Sequence, residues 1–161
     1  QWLTRQARAG DRLTLSGPMG SFYLRDGERP LLLLAGGTGL APLLSMLQTL
    51  AGQESRRPIT LLYGVTRDCD LVKTDALEAF TQRLPGYRWL PVVADAESAC
   101  PQRGFVTEHL DEAMLNEGDV DIYLCGPPPM VNAVSAALRD RGITPGGFWY
   151  EKFIASQSAA A

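Results

Sequence analysis

Five apolar residues in unbroken succession, Leu31-Leu32-Leu33-Leu34-Ala35, run directly into Gly36-Gly37-Thr38-Gly39. Nothing else in the chain constrains its fold so strongly. A strand packed against helices on both faces has no polar face to show, so it reads as a continuous apolar run rather than an alternating one. The glycines behind it let the backbone turn sharply. A helix follows from about Pro42, a residue suited to a first helical turn. Leu43, Met46, Leu47, Leu50 and Ala51 then recur at helical spacing along one face.

The same grammar repeats down the chain. Ile59–Val65 reads as a second strand, followed by a helix with Leu77, Phe80 and Leu84 on one face. A third strand covers about Arg88–Ala94, and a helix over Val106–Leu115 is opened by Thr107. Val120–Cys125 makes a fourth strand. The helix after Pro127-Pro128-Pro129 carries Met130, Val134, Ala137 and Leu138 and stops near Gly142, before a fifth strand at Phe148–Phe153. This alternation predicts an α/β fold, a five-stranded parallel doubly wound sheet with right-handed crossovers and helices on both faces. Residues 1–28 break the pattern. Leu13-Thr14-Leu15 and Phe22-Tyr23-Leu24, punctuated by Gly10-Asp11, Gly17-Pro18 and Asp26-Gly27, predict short β-strands. A few such strands cannot fold alone, so 1–28 reads as the end of a preceding β domain. The absence of an initiator methionine before Gln1-Trp2-Leu3 fits a piece of a longer polypeptide. Residues 29–154 then form the main domain, and the Ser/Ala-rich 155–161 a flexible tail.

Composition removes several function classes. A net charge of -3, with the 15 Lys and Arg scattered, argues against a nucleic-acid partner. No apolar run approaches the roughly 18 residues of a membrane span, and the first residues carry no signal-peptide pattern. Cys69, Cys100 and Cys125 are too few and too far apart for a disulfide framework, a structural zinc site or an iron–sulfur cluster. A reducing, cytoplasmic compartment is the simplest expectation.

Ligands of an open doubly wound sheet bind at the carboxyl ends of its strands. Three such ends carry unusual residues. Gly36-Gly37-Thr38-Gly39-Leu40-Ala41-Pro42 combines a backbone that can approach a diphosphate with the free N–H groups and positive dipole end of a helix. It lacks the Lys-Ser/Thr of a P-loop, which disfavours nucleotide hydrolysis. Cys125-Gly126-Pro127-Pro128-Pro129-Met130 builds a rigid proline shelf with a cysteine at the rim of the site. The alternative for Cys125 is a buried thiol acting as a small hydrophobe. Tyr150-Glu151-Lys152-Phe153 places a carboxylate between aromatics, although it could simply close the sheet edge.

Taken together and in this order, the three segments resemble the ferredoxin–NADP reductase superfamily. Gly17-Pro18-Met19-Gly20-Ser21-Phe22 is similar to the stretch with which that family's flavin-binding barrel ends. Tyr63-Gly64-Val65-Thr66-Arg67-Asp68-Cys69-Asp70-Leu71 and Tyr150–Phe153 resemble the reductase components of benzoate, toluate and anthranilate 1,2-dioxygenases. The resemblance implies a ferredoxin-reductase-like NAD-binding domain in an NADH-dependent oxidoreductase. In such a protein NADH gives a hydride to FAD, and FAD passes single electrons to a [2Fe-2S] cluster that feeds a terminal oxygenase. It further implies Gly37–Ala41 under the pyrophosphate and Thr38 beside the nicotinamide. Cys125 would lie near the reacting carbon with Glu151 as its polar neighbour. Phe153 would stack near the flavin, and Gly126, Pro127 and Met130 would shape the groove. The family's flavin-binding Arg-Tyr-Ser segment and its cluster cysteines are absent, so FAD and [2Fe-2S] are expected only in a full-length parent, through its FAD-binding and ferredoxin-like domains. This chain alone is expected to bind nucleotide without turning over.

Thr66-Arg67-Asp68-Cys69-Asp70, about thirty residues beyond the glycine loop, should meet the adenosine ribose. A carboxylate there accepts from a free 2′-hydroxyl and repels a 2′-phosphate, which favours NADH; Arg67 pulls the other way, or is a solvated charge. His109, the sole histidine, reads as a surface helix residue. Three other readings stay open: a non-catalytic dinucleotide sensor, a docking module using exposed strands in 1–28, and the reductase of a different monooxygenase system.

Overall fold

The computed structural model describes residues 2–17 and 19–153. Pro18 and the tail expected over 155–161 lie outside them. After a short helix α1 (Trp2–Arg5), the chain alternates strand and helix. The order is β1 (Leu31–Gly36), α2 (Leu40–Gly52), β2 (Ile59–Val65), α3 (Thr74–Ala79), β3 (Tyr87–Val93), α4 (Glu112–Leu115), β4 (Asp121–Gly126), α5 (Pro128–Asp140) and β5 (Gly147–Lys152). All strand pairings are parallel and the spatial order is β3-β2-β1-β4-β5, so the expected five-stranded doubly wound sheet is present.

Strand alternation splits the core in two. Leu31, Leu33, Ala35, Tyr63 and Tyr123 pack on one face against Leu43, Met46 and Leu47 of α2 and Leu77 of α3. Leu32, Leu34, Ile122 and Leu124 pack on the other against Val131, Val134 and Leu138 of α5 and Met114 of α4. Every residue of β1 and β4 is buried, which is why the leucine run shows no polar face. At the amino end of β4, Arg57 Nη2 meets Asp121 Oδ2 at 2.8 Å, both side chains almost fully covered. Arg57 Nε donates to the carbonyl of Arg29, which ties the run-up to β1 under the sheet.

Two expectations need correcting. Among the described residues no strand precedes Leu31; Leu13-Thr14-Leu15 and Phe22-Tyr23-Leu24 are irregular. A strand needs a sheet edge to pair with, and the segment lies across a face instead. Phe22 and Leu24 pack on the α2-side core, and the Arg25 N–H donates to Tyr123 Oη at 2.8 Å. Tyr123 in turn stacks on Trp149, ring centroids 4.8 Å apart. Second, Val106–Leu115 is not one helix. A single 3-10 turn, Val106–His109, gives way to extended Leu110, and α4 begins afresh with Asp111 as its cap. Asp111 Oδ1 accepts the Met114 N–H at 2.6 Å. Aspartate competes with helix continuation by capping, so the chain restarts there.

Candidate dinucleotide site

The chain leaves β1 toward β2 on one side, while β4 lies on the other. The carboxyl ends of β1 and β4 therefore flank the point where the strand order reverses, the place where such sheets open a crevice. At the end of β1 the backbone enters a 3-10 turn, Gly37–Gly39, with Gly37 at φ +52°. Leu40 closes this turn, its N–H reaching the carbonyls of Gly37 and Thr38. The amides of Gly37 and Thr38 precede the turn's own i→i+3 donors, Gly39 and Leu40, and lie just ahead of the positive end of the thirteen-residue α2. Thr38 and Ala41 are exposed, Gly37 and Pro42 half-buried, and Leu40 is buried in the core.

The end of β4 closes on this turn. A Cβ on Gly39 would overlap the carbonyl of Cys125, and one on Gly36 would stand 2.6 Å from Met130 Sδ and 3.2 Å from Gly126 Cα. These positions are glycine because two backbones meet there. Pro127 is exposed and Met130 half-buried beside them. In register, Cys125 pairs with Ala35 on one side and Glu151 on the other. The Phe153 N–H donates to the Gly126 carbonyl at 3.0 Å, carrying the β4–β5 ladder past the strand. Gly36–Gly39, Cys125–Pro127, Met130, Glu151 and Phe153 are therefore gathered at one end of the sheet.

Cys125 departs from the expectation of a rim thiol: it is 0% exposed. Burial, and secondarily the Glu151 carboxylate, push its pKa up to about 12. It is a neutral packing group at neutral pH rather than a nucleophile or acid. Glu151 is exposed, and Phe153 is 41% exposed.

Thr66, Arg67 and Asp68 lie beyond the end of β2, the strand next to β1. Here the two carboxylates part company. Asp70 Oδ2 accepts the Arg67 N–H at 3.0 Å, closing its own turn, whereas Asp68 Oδ1 accepts from Ser98 Oγ at 2.6 Å. Ser98 carried no signal in the sequence, being a lone serine in a loop thirty positions from its partner. His109 sits in the 3-10 turn with Nε2 2.8 Å from the carbonyl of Arg103, a residue that bridges Val93 at the end of β3. Among the described residues there is no cluster that could hold a metal ion, and no helix is long and apolar enough to cross a membrane.

A model of the oxidoreductase NAD-binding domain matches residues 33–136. The chain belongs to this family. Among curated relatives, this NAD-binding domain is 56% identical over 155 residues to the toluate 1,2-dioxygenase electron transfer component of Pseudomonas putida, covering 96% of this chain and 46% of that one. It is 49% identical to the 2-halobenzoate 1,2-dioxygenase electron transfer component of Burkholderia cepacia, with 94% and 45% covered. The anthranilate 1,2-dioxygenase component of Acinetobacter baylyi is 39% identical, with 98% and 46% covered. The domain spans about half the length of these relatives. Among solved structures it superposes on the ferredoxin reductase in carbazole 1,9a-dioxygenase with a TM-score of 0.74 at 29% identity, covering 94% of this chain and 46% of that chain. The FAD/NAD-binding domain of a Vibrio cholerae nitric oxide dioxygenase gives 0.78 at 26%, covering 94% and 62%. The ferredoxin-reductase-like resemblance is thereby borne out.

Proposed function

We propose that this chain is the NADH-binding part of a flavoprotein iron–sulfur reductase that supplies electrons to an aromatic-ring-hydroxylating dioxygenase. One juxtaposition carries the reading: the glycine turn after β1 is packed on the Cys125–Gly126 backbone after β4. A diphosphate held at the first would leave a nicotinamide at the second. The residues fit such a ligand, because the close packing of Gly36 and Gly39 on residues 125–130 keeps side chains off the floor, Gly37 faces open space, and the amides of Gly37 and Thr38 would meet the phosphates at the positive end of α2.

When bound, NADH supplies the hydride. The protein's part is to hold and orient. Pro127 and Met130 form the groove wall, and the buried, neutral Cys125 thiol packs behind it, supporting the backbone of residues 125–126 on which the ring would lie. Thr38 lends a hydroxyl to the carboxamide side, Glu151 a carboxylate beside the thiol, and Phe153 an aromatic face toward a flavin. The FAD belongs to a barrel of which residues 1–28 are the end, and the [2Fe-2S] cluster to a ferredoxin-like domain of the same parent. The terminal oxygenase is the partner, and the cytoplasm the compartment. Asp68 turns the choice toward NADH.

Calorimetric titration of the chain should show weak binding, tighter for NADH than for NADPH; the reverse order would overturn the ribose assignment. In the parent with its flavin, Cys125→Ser should slow stopped-flow flavin reduction with little change in nucleotide affinity. An unchanged rate would remove Cys125 from the site.

A further inference from the structure

Ser98 is 7% exposed, in the loop between β3 and the 3-10 turn at Val106. Its hydroxyl is fully engaged. Oγ accepts the Cys100 N–H at 2.9 Å, which leaves its proton to Asp68 Oδ1 at 2.6 Å. The loop that carries it is fastened to the end of β2, with Ala94 N–H donating to the Val65 carbonyl and Asp95 N–H to the Thr66 carbonyl. The serine is therefore anchored to the end of β2, and it holds the carboxylate of a residue that is itself exposed.

Resting on the dinucleotide reading above, we infer that Ser98 is a positioning residue that sets the preference for an unphosphorylated ribose. A free aspartate beside a 2′-phosphate can rotate away and relieve the repulsion. Asp68 held by a buried hydroxyl cannot: its Oδ1 is committed, and Oδ2 is left to accept from a 2′-hydroxyl. Asp70 cannot substitute, because its Oδ2 closes the turn on Arg67. Discrimination then comes from a fixed charge, which rejects a like charge and rewards a donor.

The test is calorimetric titration of the chain with ADP-ribose and with 2′-phospho-ADP-ribose, probes that keep the diphosphate and ribose and omit the nicotinamide. Ser98→Ala should raise the Kd for ADP-ribose about three- to tenfold, the scale of one lost orienting hydrogen bond, and lower that for the 2′-phosphate probe as the freed carboxylate swings away, so the ratio of the two narrows. Asp68→Asn should collapse the same ratio. Ser98→Thr, which keeps the hydroxyl, should restore it. A ratio unmoved by Ser98→Ala, or equally shifted in the threonine variant, would reduce Ser98 to packing and overturn the inference. A ratio unmoved by Asp68→Asn would overturn it by removing the carboxylate from the ribose. In each of those cases the parent chain still binds ADP-ribose; failure of the parent to bind either probe would instead sink the dinucleotide reading itself.

Discussion

Gly39 rests on the carbonyl of Cys125 so closely that no side chain fits between them. Residues eighty-six positions apart thus form one floor at the reversal point of the sheet. Gly39→Ala should push the β1 and β4 loops apart. Overpacking of this kind costs about 1–3 kcal/mol. Thermal unfolding should therefore shift down by several degrees, and calorimetry should show at least a tenfold loss of affinity for ADP-ribose.

Burial of Cys125 predicts its chemistry. With its pKa pushed to about 12, the thiol should react with iodoacetamide far more slowly than exposed Cys69, read by mass spectrometry of the peptides under native conditions.

The same shift has a signed effect on stability. The folded thiol keeps its proton up to about 12, whereas an unfolded thiol loses it near 9.0. The contribution is complete below the unfolded value and is lost as pH rises from there toward the folded one. Burial also raises Tyr63, Tyr87 and Tyr123, with the same sign. Urea midpoints should hold steady from pH 7 to 8 and decline above pH 9, and the decline should be shallower in Cys125→Ser.

Arg57 and Asp121 lie at the opposite end of the sheet from the site and are both buried. Removing one partner of a buried pair leaves an uncompensated charge, so Arg57→Ala should cost about 3–5 kcal/mol in urea unfolding. ADP-ribose affinity of the remaining folded protein should be unchanged.

Tyr123 Oη receives the Arg25 N–H and pins the segment before β1 across the sheet. Tyr123→Phe keeps the stack on Trp149 and loses only that bond, so it should cost about 1 kcal/mol. Limited proteolysis should then cut between Met19 and Arg25 faster than in the parent.

The sheet was legible because strands covered on both faces leave unmixed apolar runs such as Leu31–Ala35, and because glycine and proline loops stand at their carboxyl ends. Phe22-Tyr23-Leu24 misled for a definite reason: alternation reports only that two side chains point one way, and a strap over a core meets that demand as well as a strand does. Val106–Leu115 has helical spacing, but spacing does not show that Asp111 will cap. The depth of Cys125 and the Ser98–Asp68 bond depend on how distant segments pack, which no local pattern encodes.

The central claim is that the turn after β1 holds a diphosphate and sets a nicotinamide against Cys125. A crystal structure of the chain soaked with NADH tests it directly. The account predicts phosphate oxygens within hydrogen-bond distance of the Gly37 and Thr38 amides and the nicotinamide ring over the backbone of Cys125 and Gly126. A dinucleotide bound at another edge of the sheet, with those amides turned to protein groups, would contradict it.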